Sequence, residues 1–448
     1  MTPAARIAAV IEIMQNMPEG QMAGQGLRAG MQRRRYAGSG DRAAISTLFW
    51  QVQRARARIG WHLEAIDAEK TPRNHVIAAL VLIEKQHEEL QNLFTDAVSH
   101  APPALNDNEQ AMAATLAKRT LDDENMPVDV ALEWPEFLLE DTRAGIGRVL
   151  NDSQNVEAEL AALLDEAPTD LRINPIKLDD RRLLRDRLAG RGIKCYATSL
   201  SPWGVRLAKR TRTDELQEWK KGQFDIQDEG SQIAALLCDA RPGMQVADVC
   251  AGAGGKSLVM AARMQNKGRV LAIDNSAERL ERSGERLRRA GIHNVERKVV
   301  DDKWGTRKWR AKFDRVVIDA PCSGSGTWRR QVDARWRLTP EILSRYHATQ
   351  QGLLEKARAM VLPGGRIIYI TCSLLASECE AQITAFLADA PELEIADIGD
   401  IWEDTIGRLN GGACPQTASL NASGMLRLLP RRDNTDGFFV AIIQARLR

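Results

Sequence analysis

Two thiols stand out by position. Cys322 lies in Asp319-Ala-Pro-Cys-Ser-Gly-Ser-Gly-Thr327 and Cys372 in Tyr369-Ile-Thr-Cys-Ser373, each just beyond a short apolar run of strand character. A lone cysteine of this kind is more often a small core hydrophobe than a reagent. Two at successive strand ends, on the rim where an open α/β sheet binds its ligands, invite a chemical reading. A thiolate added to carbon 6 of a pyrimidine makes carbon 5 enamine-like and able to attack an electrophilic methyl group. The C5 proton then leaves to a base and the sulfur is expelled. A carboxyl group must assist at ring N3, and Asp319 is the nearest one. A closed pocket that raised its pKa would let it do so. Enzymes that methylate exocyclic amines carry Asp/Asn-Pro-Pro-Tyr/Phe at this strand end, whereas Ala-Pro-Cys stands here, which points away from nitrogen. Chemistry alone does not rank the two cysteines.

The methyl donor is read from an earlier loop, Asp248-Val-Cys-Ala-Gly-Ala-Gly-Gly-Lys-Ser257. Its glycines allow a tight turn and close approach of a ligand to backbone amides. A phosphate loop would need glycine at 250, which is Cys250, and the dinucleotide fingerprint would need glycine at 257, which is Ser257. Both patterns fail. Acids instead stand at successive strand ends: Asp248, Asp274, Asp301 and Asp319. A lone strand-end Asp is usually a turn or cap residue. Four in strand order around a glycine loop would repel a polyphosphate, but suit S-adenosylmethionine, with a ribose diol, a sulfonium cation and no phosphate.

These residues need a scaffold. From Gly222 onward, apolar runs alternate with helical patterns. Strands are predicted at Gln245–Val249, Arg269–Ile273, Val295–Val300, Arg315–Ile318, Arg366–Ile370 and Phe438–Ile443. Helices are predicted at Gly254–Met264, Ala277–Ala290 and Pro340–Met360, the last with Ile342, Tyr346, Leu353 and Leu354 as its buried stripe. Strand and helix in alternation predict a parallel sheet with helices on both faces. Residues 1–165 read as entirely helical, with a helix in Met1–Met17, an N-cap at Asp41 and an apolar-periodic stretch over Val76–Val98. Residues 166–221 read as a small α+β linker domain. The expected fold class is α/β: a Rossmann-like catalytic domain over 222–448 preceded by an all-α N-terminal domain and the linker.

Composition narrows the class. Hydrophobic content of 44% and charged content of 27% are ordinary for a globular chain, and no apolar run is long enough to cross a bilayer. The N-terminus lacks a signal-peptide pattern, so a cytoplasmic location is expected. The seven cysteines form no C-x-x-C pair and the six histidines do not cluster near them, so neither a metal nor a disulfide framework is expected. Net charge is +2, yet between Ser201 and Pro340 basic residues exceed acidic ones by roughly 10. The runs Arg206–Lys209–Arg210–Arg212, Arg286–Arg288–Arg289, Arg307–Lys308–Arg310–Lys312 and Arg329–Arg330–Arg335–Arg337 interleave with Trp304, Trp309, Trp328 and Trp336. Any one run is a solvated face; together they favour RNA.

These motifs resemble the Nop/Sun family of RNA 5-methylcytosine methyltransferases, in its RsmB-like branch acting on 16S ribosomal RNA. The likeness runs from about Leu171 to the C-terminus. It is carried by Ile226-Gln-Asp-Glu-Gly-Ser-Gln232, Asp248 to Lys256, Asp319 to Cys322, Thr371-Cys-Ser373 and Thr435-Asp-Gly-Phe-Phe439. The resemblance implies that Cys372 is the nucleophile, that Cys322 assists product release, and that Lys256 and Asp319 line the catalytic pocket. It also implies that Cys250, Ala251, Gly252, Ala253, Gly254, Gly255 and Lys256, with Asp274, Asp301 and Asp319, hold S-adenosylmethionine, and Asp248 is expected beside them. It implies a NusB-like, RNA-binding helical domain, and a monomer is expected. The chain departs from the family in placing Glu378 before Cys379, where Glu-Asn is usual, and Arg431 where a His is common. The alternatives are the same chemistry on transfer RNA, or a non-catalytic RNA-binding assembly factor.

Overall fold

Capping residues mark the helix starts of the N-terminal zone. Thr2 accepts the amide of Ala5 ahead of α1 (Pro3–Gln15), which is followed by α2 (Ala23–Arg33), α3 (Ser39–Arg54) and α4 (Arg56–Glu64). Thr71 caps α5 (Pro72–Leu82), and Asn106 closes a capping box with Glu109 on α6 (Asp107–Leu116). The chain, a computed structural model, is described over residues 1–150, 153–301, 303–410 and 424–447, so Cys414 lies outside the described residues. It divides into two compact units: Met1–Leu139 with Arg330–Leu338, and Glu140–Arg329 with Thr339–Arg448.

In the first unit, Val10, Ile45, Phe49, Ile59 and Leu63 are buried around α5, itself buried at every position from Val76 to Leu82. A helix apolar all round must be central. Asp41 is not the N-cap of α3; it sits in the first turn and accepts the amide of Gly38, because the helix starts two residues earlier. The Val76–Val98 stretch is not one helix: α5 stops at Leu82 and only Leu90–Leu93 turns again. The 330–338 segment is stitched into this unit by polar contacts. The Asp333 carboxylate accepts the Ala23 amide at the start of α2, and Arg335 donates to the Glu133 carbonyl.

The second unit includes residues 140–165, tied in by Asp141 accepting the Ser377 amide and Glu159 accepting the amides of Arg431 and Arg432. Its smaller sheet is antiparallel, in the order β2 (Cys195–Ala197), β3 (Gly204–Leu207), β1 (Thr169–Ile173), β4 (Phe224–Ile226), and carries α7 (Arg181–Ala189). Next come α8 (Glu229–Leu236), β5 (Gln245–Val249), α9 (Gly255–Arg263), β6 (Arg269–Asp274), α10 (Ala277–Ala290), β7 (Val295–Val299) and β8 (Phe313–Asp319). Then follow α11 (Pro340–Met360), β9 (Val361–Thr371), α12 (Glu380–Ala388), β10 (Leu393–Ile395), β11 (Leu426–Leu428) and β12 (Phe438–Ala445). The large sheet runs β10-β12-β9-β8-β5-β6-β7, with β11 beside β12.

Strands β5 to β9 are mutually parallel, as expected; the edge strand β7 carries Glu296, Arg297 and Lys298 and is exposed, while the central ones are near-continuously apolar, Ile367 to Ile370 being fully buried. That is what a sheet covered on both faces requires. One cluster places Ile233 of α8 and Val259 of α9 against one face. Another places Leu354 of α11 and Ile383 of α12 against the other. The sheet is not wholly parallel, however. β12 pairs antiparallel with β9, β10 and β11, because it is reached from β11 through a loop, and only a longer crossover would allow parallel pairing. In α11 the buried stripe starts later than expected, at Gln350, with Leu353, Leu354, Ala357 and Met360; Ile342 and Tyr346 are half-exposed. Among the described residues, no helix is long and apolar enough to cross a membrane, and no cluster of three or more metal-ligating side chains occurs.

Candidate active site

The loop after β5 turns by left-handed backbone at Cys250, Gly252 and Gly254. At Gly254 a side chain would also collide, since an added Cβ would lie 2.9 Å from the Ser283 Cβ. At Gly252 it would meet nothing, so conformation alone requires glycine there, and the backbone stays open to a ligand. Cys250 accepts the same conformation with a side chain, at a cost of about 1–2 kcal/mol. The loop is anchored through Ala251, whose amide donates to the Ile273 carbonyl, and through Gly252, whose amide donates to Asp274 at 2.7 Å.

Asp274 closes β6 and is almost wholly buried. Its other oxygen accepts the Ser276 amide at 2.8 Å and lies 3.1 Å from Arg279. Beside it opens a cavity of about 850 Å³, the size of a small-molecule site. Asp274, Asn275, Asp301 and Trp304 line one part of it, Asp319, Pro321, Cys322 and Cys372 another, and Gly352 and Lys356 of α11 a side wall. The residues fit S-adenosylmethionine: a carboxylate for a diol, an uncrowded Gly252, and three acids where a phosphate would be repelled. Of the other residues expected there, Ala251, Ala253, Gly254, Gly255 and Lys256 form the loop and the start of α9 without lining the cavity. Asp248 is fully buried beneath it, accepts the Ser257 hydroxyl, and has its carboxyl pushed up to about 7 by burial.

At the ends of β8 and β9 the two cysteine sulfurs stand 3.6 Å apart, both half-buried and both facing the cavity. The Cys322 thiol is pushed well above its ordinary range by its hydrogen bond to Cys372, then by burial, then by negative charge at Cys372 and Glu378. Either sulfur can donate the hydrogen bond that joins the pair. Asp319 is not a free acid: its carboxylate takes the Lys256 ammonium at 2.7 Å. Lys256 is buried and lies 5.6 Å above the Phe438 ring. Burial pulls its pKa down, but the Asp319 carboxylate outweighs this, and the net direction is upward. The proton-bearing member of the pair is Lys256. Among the remaining described cysteines, Cys238 and Cys379 are fully buried and burial pushes both thiols up, as befits packing residues. Cys195 is half-buried on the small sheet.

Sequence reasoning passed over one carboxylate. Glu378 is fully buried and accepts the Ser323 amide at 2.9 Å, the Ser323 hydroxyl at 2.5 Å, the Ser373 hydroxyl at 2.6 Å and the Gln350 amide at 3.2 Å. The signal was present: each cysteine is followed by a serine, and the glutamate had been noted only as a departure from a motif.

The basic runs are partly spent inside the fold. Arg206 pairs with Asp170, Arg286 and Arg289 with Asp225, Arg329 with Asp436 and Arg337 with Asp333, while Arg335 is buried. Trp309 and Trp328 are buried too. Lys209, Arg210, Arg212, Arg288, Arg307, Lys308, Arg310, Lys312 and Arg330 remain exposed. Formal charge runs overstate the cationic surface because half of such a run can face its own acids.

Comparison with known proteins gives the family and the fold. The family model for the 16S rRNA methyltransferase RsmB/F matches residues 235–444. A probable ribosomal RNA small subunit methyltransferase B of Synechocystis is 31% identical over 327 residues, 72% of this chain and 69% of the relative. The crystal structure of PH0851 superposes with a TM-score of 0.75 at 21% identity, over 99% of both chains. NSun6 from Pyrococcus horikoshii, solved with SFG, superposes with a TM-score of 0.56 at 18% identity, over 69% of this chain and 98% of its own. At these identities the structures speak for the fold, a Rossmann-like methyltransferase domain, while the sequence match carries the family. The chain belongs to the RsmB/F family of 16S rRNA methyltransferases.

Proposed function

We propose that this protein methylates carbon 5 of a cytosine in 16S ribosomal RNA through a transient bond between Cys372 and carbon 6. The observation that carries the reading is the pair of sulfurs 3.6 Å apart on the rim of the glycine-loop cavity. When bound, S-adenosylmethionine, the cofactor of this methyltransferase family, supplies an electrophilic methyl group. Cys372 forms the S–C6 bond while the Lys256 ammonium, held by Asp319, is placed to stabilise the electron density pushed toward N3. The two sulfurs lie within hydrogen-bond reach of each other, and the family resemblance assigns the attacking thiolate to Cys372. After methyl transfer, loss of the C5 proton and cleavage of the S–C6 bond restore the aromatic ring. Cys322, whose sulfur stands 3.6 Å from that of Cys372, lies beside the bond that must break and is assigned to assist that second half. The target base must leave its stack to reach two half-buried sulfurs.

The test is to delete the gene and map lost 5-methylcytosines across total RNA by bisulfite sequencing, alongside purified variants. Loss at one 16S position is expected, with Cys372→Ala inactive and Cys322→Ala trapping an RNA–protein adduct on a denaturing gel. Turnover by Cys372→Ala would refute the covalent route, and a lost site in transfer RNA would refute the substrate.

A further inference from the structure

Neither cysteine is held by its own contacts alone. Each is followed by a serine, Ser323 and Ser373, and both hydroxyls donate to the single carboxylate of Glu378. The same carboxylate takes the Ser323 amide through both oxygens, at 2.9 and 3.1 Å. Gln350 of α11 spans from Glu378 to the Pro321 carbonyl, one residue before Cys322. The serines also meet each other at 3.2 Å, and the Gly326 amide donates to the Cys372 carbonyl. On the far side, Tyr369 donates its hydroxyl to the Glu378 carbonyl, fixing the glutamate to β9. Glu378 itself is fully buried and lies outside the cavity, so it touches neither substrate nor cofactor.

We infer that Glu378 is a positioning residue that sets the spacing of the two thiols by binding the amide and hydroxyl of Ser323 and the hydroxyl of Ser373, the residues after each one. This inference rests on the two-cysteine reading above. It adds that the carboxylate acts through both loops together, and that its loss slows release of the methylated product more than capture of the base. The charge of Glu378 is also among the causes that hold the Cys322 proton in place. Glutamine at 378 keeps the size but turns one acceptor into a donor facing Ser323 or Ser373, and removes that charge.

The experiment compares wild type, Glu378→Gln, Ser373→Ala and Cys372→Ala as full-length protein with a 16S rRNA fragment and S-adenosylmethionine. It reads single-turnover adduct formation, adduct decay and the pH dependence of decay. For Glu378→Gln we expect kcat reduced by about 10–100-fold, the scale for misplaced reacting groups. KM values should change by less than about 3-fold, the adduct should persist, and the pH limb of decay should move to lower pH because the Cys322 thiol ionises more easily. Ser373→Ala, which removes one arm, should shift in the same direction by less. A merely structural glutamate would lower the active fraction without moving the pH limb, and that result overturns the proposal. So do wild-type decay rates in both variants, or in Ser373→Ala alone if Glu378→Gln does not fold. An active Cys372→Ala would instead overturn the reading beneath it.

Discussion

Asp274→Asn offers a quantitative test of the cofactor end of the cavity. The carboxylate holds two backbone amides, of Gly252 at 2.7 Å and Ser276 at 2.8 Å, in an almost solvent-free position. Asparagine keeps the shape and one acceptor, but turns an amino group toward the other amide. Leaving one buried N–H unpaired costs about 1–3 kcal/mol. The Arg279 contact adds little, because that arginine is half in solvent. Near the middle, about 2 kcal/mol, the melting temperature of the catalytic unit should fall by about 4–8 °C. If Asp274 also receives the ribose diol, a further charged hydrogen bond worth about 1.5–3 kcal/mol is lost on binding, which raises the Kd for S-adenosylmethionine roughly 10–150-fold. Calorimetric titration with the cofactor and a melting curve without it separate the two terms. A lowered melting temperature with an unchanged Kd would leave Asp274 as a loop anchor only and refute the cofactor assignment. A changed Kd at unchanged stability would refute the hydrogen-bond accounting.

Asp248 carries a pH signature. Its folded-state pKa, about 7, lies above the ordinary carboxyl value of 3.8, so the stability it contributes is complete below about pH 4 and is lost as pH rises toward 7. Asp248→Asn should flatten that loss and raise the melting temperature at pH 8; a variant no more stable than wild type at pH 8 would contradict it. Lys256→Met should cut kcat by about 10²–10⁴-fold, the range for a lost general acid, while RNA binding stays within a few fold. Single-turnover kinetics and filter binding check this, and near-normal chemistry would remove Lys256 from the mechanism.

Much of the fold could be read because it follows from periodicity. Gln245–Val249, Ala277–Ala290 and Pro340–Met360 were predicted to the residue, since each is an uninterrupted apolar pattern bounded by Gly, Pro or a capping side chain. The short edge strands β10 and β11 have three residues each, too few to show a period. The direction of β12 depends on how its loop returns, which hydrophobicity does not encode. Nor could spacing reveal that 330–338 packs with the helical unit: its anchors, Asp333 and Arg335, act on partners hundreds of residues away.

The site divides along the same line. Glycines, strand-end acids and cysteines announce themselves because few backbone conformations and few side chains can do their work. Pairing does not, since it depends on which neighbour wins a charge. Asp319 looked like an acid in need of a raised pKa, whereas Lys256 lies against it and carries the proton. Arg206, Arg286 and Arg329 looked like RNA contacts, but face Asp170, Asp225 and Asp436. Glu378 is the extreme case: every bond its carboxylate makes is to a serine or a glutamine, residue types too common to signal function. Yet those bonds span the gap between the two loops that carry the thiols. A substitution that spares both cysteines and the whole cavity should therefore still slow the proposed reaction, by changing a distance instead of a reagent.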